Sequence, residues 1–405
     1  MALVTASCGS GAGAGQGAAT SPAAARSSML TSLSAGHGAA WAVLEVGGSR
    51  SQHNNFWQLL VRPAAGQAWR LATPPGVADN GGLVAAGPGG PAVGTGSAAG
   101  PGSTGGPGST GSGGGAGPAP GLVAGFVPSQ DLTFSPLASS RDGGRHWDPG
   151  LLPAGLAAAA SALAAGPDGR LLALTGAGAQ LSGPGGTGWT PLVSTKALAA
   201  SPAGRSCGLT GLTAVAFGSA GAPLLAGACS HPGVTGIFLR SGGQWRLAGP
   251  KPPAGFAGRP VTVAQLTMTA PGKLTALLAA GAGPAQDLAA AWLGDGQPWT
   301  TSAPLPLGGR TLVSTAAGSD GTAGVILTGG RAAVIRPATG TGAAAWTALP
   351  ALPAAAADLV LGPGHQVSVL TAGRTTVTAW QLSKPGTRWA PGQKLTIPVP
   401  FGSSG

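Results

Sequence analysis

Apolar residues along this chain come in short runs separated by glycine-rich punctuation. Trp41–Val46 follows Ala35-Gly36-His37-Gly38, and Leu171–Leu174 follows Ala165-Gly166-Pro167-Asp168-Gly169-Arg170. Val325–Leu327 follows Gly318-Ser319-Asp320-Gly321, and Val367–Leu370 follows Gly362-Pro363-Gly364-His365. Each reads as the second strand of a hairpin whose tight turn needs the positive φ that Gly supplies. No stretch approaches the ~18 consecutive apolar residues of a membrane-spanning helix. Ala154–Ala165 has helical propensity, but the hairpin pattern claims its end as a strand.

A second signal runs out of phase with these hairpins. Trp69, Trp147, Trp189, Trp245, Trp299, Trp346 and Trp389 are preceded, three positions earlier, by Gly66, Gly144, Gly186, Gly242, Gly296, Ala343 and Gly386. The Trp spacings are 78, 42, 56, 54, 47 and 43 residues. The long first interval contains the Gly/Pro/Ser tract Gly87–Gly121, and without those 35 residues it shrinks to 43. A period of roughly 40–55 residues is that of a four-stranded propeller blade.

The expected fold is therefore all-β: a seven-bladed β-propeller of four-stranded antiparallel blades over residues 28–400. The glycine hairpins supply the inner two strands of each blade and the Gly-to-Trp turns join the outer two. The tract at 87–121 takes the place of the inner turn of blade two, between Leu83–Ala86 and Leu122–Phe126. Such an insertion is cheap, because loop closure costs grow only logarithmically with length. The Trp series is expected to fill wedges between blades. Ser28–Gly36 supplies the first inner strand; Leu395–Pro400 is either the outer strand of the last blade or a segment that crosses over to stitch the ring. Residues 1–27 are expected to form a tether and 401–405 a disordered tail.

Composition supports order. Gly 76 and Pro 37 suggest low complexity, yet the hydrophobic fraction is 43% and mean hydropathy +0.26, too apolar for a disordered chain. The net charge of +11 comes from 21 Lys and Arg against 10 Asp and Glu, scattered singly. Nucleic-acid binding needs a clustered patch, so no specific nucleic-acid partner is expected. A monomer is expected.

Ser140-Arg141-Asp142-Gly143-Gly144-Arg145-His146-Trp147 resembles the Asp-box pattern Ser-x-Asp-x-Gly-x-x-Trp, with His146 where Thr is usual. Ser182, Gly186 and Trp189 form a degraded copy. The chain thus resembles the Asp-box (BNR-type) repeat propellers, which share the sialidase-like fold. The resemblance implies that Ser140, Asp142, Gly144 and Trp147 build a structural turn on a blade rim, with Ser140 and Asp142 accepting backbone N–H groups.

Sialidases of that superfamily use a Tyr nucleophile, a Glu, an Asp and three Arg. This sequence has no Tyr, and Glu45 is its single Glu. Arg62-Pro63 and Arg336-Pro337 resemble the family's Arg-Ile-Pro element without its companions. The sialidase mechanism is set aside. Two-carboxylate hydrolysis leaves Asp79 and Asp358 as weak catalytic candidates before innermost strands, since the other Asp residues fall in turns. The five His show no paired ligand spacing, and nucleophile-elbow and phosphate-loop motifs are lacking; neither cofactor nor metal is expected.

Met1–Cys8 resembles the end of a bacterial lipoprotein signal, with Ala6 and Ser7 before Cys8 and Thr5 where Leu is usual. Cys8 is then a lipidation candidate that would anchor the chain to a membrane, ahead of a flexible Gly/Ala/Ser stretch. Cys207 and Cys229 flank the first two strands of blade four and are disulfide candidates outside the cytoplasm. The Ala/Gly/Arg-heavy composition suggests a GC-rich, actinobacterial-type source. The reading is a non-enzymatic, extracytoplasmic, lipid-anchored binding or assembly scaffold at the bacterial cell surface, with a protein or glycan partner. Its alternative is a carbohydrate-active propeller, hydrolase or glycan-binding.

Overall fold

The computed structural model describes residues 30–34, 39–47, 55–64, 67–73, 82–86, 122–126, 137–140, 142–149, 160–166, 168–184, 188–281, 285–294, 296–338, 343–373, 375–383 and 387–397. The described chain is all-β apart from two short helices and single 3-10 turns. Its strands follow one another as antiparallel meanders. The first unit is β1 (Leu30–Ser34), β2 (Ala40–Gly47), β3 (Asn55–Arg62) and β4 (Arg70–Leu71), followed by β5 (Gly82–Ala86), β6 (Leu122–Phe126), β7 (Leu137–Ser140) and β8 (Asp148–Pro149). Next come β9 (Ala162–Ala165), β10 (Leu171–Thr175), β11 (Gly178–Leu181) and β12 (Thr190–Ser194). Helices α1 (Thr195–Ala200) and α2 (Pro202–Cys207) lead into β13 (Leu209–Phe217), β14 (Pro223–Cys229), β15 (Gly236–Ser241) and β16 (Gln244–Leu247). Then follow β17 (Val261–Ala270), β18 (Lys273–Ala280), β19 (Asp287–Leu293), β20 (Thr300–Thr301) and β21 (Leu305–Pro306), the last two both pairing β19. The chain ends with β22 (Leu312–Ala317), β23 (Ala323–Leu327), β24 (Arg331–Ile335), β25 (Thr347–Ala348), and β26 (Ala356–Leu361), β27 (Val367–Ala372), β28 (Thr376–Leu382), β29 (Trp389–Thr396).

The inner hairpins share one turn. Gly166 N–H donates to the Arg170 carbonyl at 2.8 Å, Gly218 to Ala222 at 2.8 Å, Gly318 to Thr322 at 2.8 Å and Gly362 to Gln366 at 2.7 Å. The fourth residue of each has positive φ: Gly169 at 76°, Gly221 at 70°, Gly321 at 84° and His365 at 65°. Gly supplies this conformation in three of the four turns, and His365 adopts it in the fourth. Where the third residue is Asp, its carboxylate accepts the N–H two positions on, Arg170 to Asp168 at 3.1 Å and Thr322 to Asp320 at 2.9 Å. The strands flanking 87–121 pair with each other in register, Gly82 opposite Phe126 through Ala86 opposite Leu122.

Each core cluster joins two consecutive units. Leu137 of β7 meets Leu171 and Ala173 of β10; Leu172 and Leu174 meet Phe217, Leu225 and Phe238. Ala226 and Ile237 meet Val263 and Leu278, and Leu277 and Trp292 meet Val325 and Ile335. Ile326 and Val334 meet Leu359 and Val369, and Val360, Leu370 and Val377 meet Ala42, Leu44 and Leu60. The last unit therefore packs on the first, the packing plan of a β-propeller. Small, mostly Ala, Leu and Val side chains fill these faces. Burying each Leu or Val contributes roughly 1.5–3 kcal/mol before ordering costs.

Two pairings depart from independent four-stranded blades. β1 pairs parallel with β22, Leu30 opposite Thr315 and Leu33 opposite Ala317, merging two units into eight strands. β14 runs on to pair with β17, Cys229 opposite Val261. The two helices are also outside the sequence expectation. β29 settles beside β28 as the outer strand, Thr378 opposite Lys394.

Candidate functional site

The Asp-box residues converge on one turn. Ser140 Oγ accepts the Gly144 N–H at 2.7 Å and donates to Asp142 Oδ1 at 2.9 Å. Asp142 Oδ1 also accepts the N–H groups of Arg145 and His146, at 2.8 and 2.9 Å, and its Oδ2 meets His146 Nδ1 at 2.5 Å. Gly143 and Gly144 have φ of 71° and 81°. Desolvation would raise the Asp142 pKa, but the His146 backbone and ring, the Ser140 hydroxyl and the Arg145 N–H outweigh it and hold the carboxyl well below the ordinary range. A carboxylate held this way accepts hydrogen bonds and is a poor proton donor. Trp147 Nε1 donates to the Ala72 carbonyl at 2.7 Å, and Arg70 donates to the carbonyls of Gly143 and Gly144. The turn locks two neighbouring units together.

Of the two catalytic candidates, only Asp358 lies among the described residues. Asp358 lies within β26, not in a loop before it, and is fully buried. Its Oδ1 accepts from Ser314 Oγ on β22 at 2.9 Å and from Leu359 N–H at 2.8 Å. Asp79 and Cys8 lie outside the described residues. On β17, Gln265, Thr267 and Thr269 are buried, with Gln265 Nε2 donating to Thr267 Oγ1 at 2.9 Å. Among the described residues no cluster of three His, Cys, Asp or Glu is placed to hold a metal.

Cys207 and Cys229 are joined by a disulfide with a Cα–Cα distance of 5.1 Å. It ties the end of α2 to the end of β14. Gly236 on β15 makes room for it: a Cβ there would lie 2.7 Å from Cys229 Sγ.

The seam between the first and last units holds a cleft of about 470 Å³. Its floor is Arg62, Trp69, Ser368 and Ala379, all buried. Gln67, Gln366 and Gln381 stand exposed at its rim. The carboxamide of Gln393 completes the wall, accepting Trp69 N–H at 2.6 Å and donating to Trp69 C=O at 2.8 Å. Arg62 ends β3, is 5% exposed, and lies with its guanidinium carbon 5.3 Å from the Trp69 ring centroid. Among the described residues nothing accepts a hydrogen bond from its Nε or Nη2. Burial lowers its pKa from the usual arginine value. Among the described residues the cleft lining carries no carboxylate. Sequence reading singled out Arg62 only by its neighbour Pro63; the four glutamines belong to four separate segments and gave no signal.

No family model and no curated protein matches this chain. Solved structures of similar shape include one titled YCF48 bound to D1 peptide, 16% identical over 67% of this chain and 78% of that one, with a TM-score of 0.39. The Aleuria aurantia lectin bound to α-methyl-L-fucoside is 12% identical over 92% and 95% of the two chains, with a TM-score of 0.38. A GH74 enzyme of Niastella koreensis is 14% identical, covering 87% of this chain and 52% of its own, with a TM-score of 0.48.

Proposed function

We propose that this chain is a seven-bladed, Asp-box-type propeller that serves as a non-enzymatic binding or assembly scaffold. It works outside the cytoplasm at a bacterial cell surface, held by a lipid on Cys8. The carrying observation is the chemistry of the two places a ligand could reach. The innermost strands bear one carboxylate among the described residues, Asp358, fully buried and bonded to Ser314. The seam cleft is lined by carboxamides, a hydroxyl and one guanidinium. Hydrolysis by paired carboxylates needs two of them facing one cleft; recognition needs only polar groups held in place.

The test is incubation of the full chain with a panel of glycans, read by product release. The expected result is none. Turnover abolished by Asp79→Asn or Asp358→Asn would establish the hydrolase. The glycan-binding alternative is favoured by the amide-rich rim, and appears in the same panel as binding without turnover. For the anchor, Cys8→Ser is expected to move the protein from the membrane fraction to the soluble one.

A further inference from the structure

We infer that the seam cleft binds a peptide segment through a carboxylate, with Arg62 as its counter-charge and the rim glutamines on its backbone. This rests on the scaffold reading and names the chemistry of its partner.

The first observation is Arg62 itself. An arginine that is 5% exposed, with Nε and Nη2 meeting no acceptor among the described residues, is an unusual resident of a folded protein. Burying a charge without a partner is costly. Stacking on Trp69 offsets part of that cost. Nε and Nη2 are sealed from solvent, so an anion entering the cleft that Arg62 lines would offset the rest through the charge and the remaining nitrogen, Nη1.

The charge count selects the anion. Among the described residues Arg62 is the one charged residue in the lining. A single positive charge balances a monoanion, whereas a phosphate dianion would bring a second charge into a cleft with nothing to meet it.

The third observation is what a carboxamide already does here. Gln393 reads a whole peptide unit, taking the N–H and the C=O of Trp69 with its two ends. Gln67, Gln366 and Gln381 carry the same group at the open rim. Each offers a donor and an acceptor at the spacing a peptide backbone presents. Capture of a chain-end or side-chain carboxylate in such a setting is a recurring mode of peptide recognition.

The experiment is a titration of the ¹⁵N-labelled full chain, following the arginine Nε–H and glutamine amide signals. The probes are N-acetyl-triglycine as the free acid, the same peptide as its C-terminal amide, and N-acetyl-Gly-Asp-Gly amide. The free acid is expected to shift the Arg62 and rim glutamine signals, with affinity that falls as salt rises. The triglycine amide is expected to leave them still. A response to the Asp peptide but not to the free acid assigns the carboxylate to a side chain and leaves the inference standing. Arg62→Met keeps the stem on Trp69 and is expected to weaken binding about tenfold or more, with Arg62→Lys intermediate. Gln366→Ala, at an exposed position, weakens binding without touching the core should Arg62→Met fail to fold. Equal shifts from acid and amide would overturn the role of Arg62, as would silence from all three probes. Failure of the scaffold reading would show differently, as glycan turnover.

Discussion

Gln393 clasps Trp69 across 324 residues of sequence, its carboxamide accepting the backbone N–H at 2.6 Å and donating to the carbonyl at 2.8 Å. A side chain here does the work of a strand. It satisfies both polar groups of a residue entering the short strand β4, and it joins the last unit to the first. Gln393→Ala leaves both groups without that partner at a half-buried site, and is expected to cost about 2 kcal/mol. Gln393→Glu keeps an acceptor but sets a carboxylate against the Trp69 carbonyl, so it should recover little at neutral pH. Urea-unfolding midpoints check both. An unchanged midpoint in Gln393→Ala would mean that the apolar contacts of Leu44, Leu60, Leu370 and Val377 close this seam unaided.

The indole bonds are the same device at other seams. Trp147 Nε1 donates to Ala72 C=O at 2.7 Å, Trp299 to Ala248 at 2.6 Å and Trp389 to Pro350 at 3.4 Å. In each case the acceptor follows the preceding Trp of the series by three or four residues. Trp147→Phe and Trp299→Phe remove the donor and keep most of the ring. Each should cost about 1 kcal/mol. The double variant should be additive within about 0.5 kcal/mol, because the two seams share no partner. The longer Trp389 contact should matter less.

Acid should weaken the Asp-box turn selectively. Hydrogen bonds hold the folded-state pKa of Asp142 below its unfolded value. The stabilisation is therefore present above the unfolded pKa of about 4 and is lost as pH falls below it toward the folded one. The stability gap between the wild-type chain and Asp142→Asn should narrow as pH falls below about 4. Chemical denaturation as a function of pH measures it. A gap that stays flat to the acid limit would remove Asp142 from the turn's energetics.

The parts of this fold legible in the sequence are those made by local backbone demands. Gly166, Gly218, Gly318 and Gly362 begin the same five-residue turn, and the Trp that follows each outer turn repeats because each seam needs a wedge. The helices α1 and α2 have local marks of their own: Ser194 and Ser201 cap them, Pro202 stands at the first position of α2, and Gly208 closes it in the left-handed conformation. The seam cleft was not legible. Arg62, Gln366, Gln381 and Gln393 share no period, and only closure of the last unit on the first brings them together. Asp358 was misplaced because a lone carboxylate in an apolar run looks like a loop cap, while Ser314 on β22 holds it inside a strand.

The disulfide offers the sharpest test of how the connection between β12 and β13 is held. Cys207 and Cys229 are separated by 22 residues, and closing a loop of that size restricts the unfolded chain by about 3 kcal/mol. α1 and α2 have six residues each, too short to hold themselves. They rely on Leu198 and Cys207 packing against Phe217 and Phe238. The double variant Cys207→Ser, Cys229→Ser should therefore lower the Tm and expose the amides of 195–207 to hydrogen exchange before those of β13 and β14. Gly236→Ala should destabilise the oxidised protein by about 1–3 kcal/mol, because its Cβ would meet Cys229 Sγ at 2.7 Å. Exchange that rises uniformly across β13 to β16 would show that the bridge staples the whole unit; exchange confined to the helices would show that it serves the connection alone.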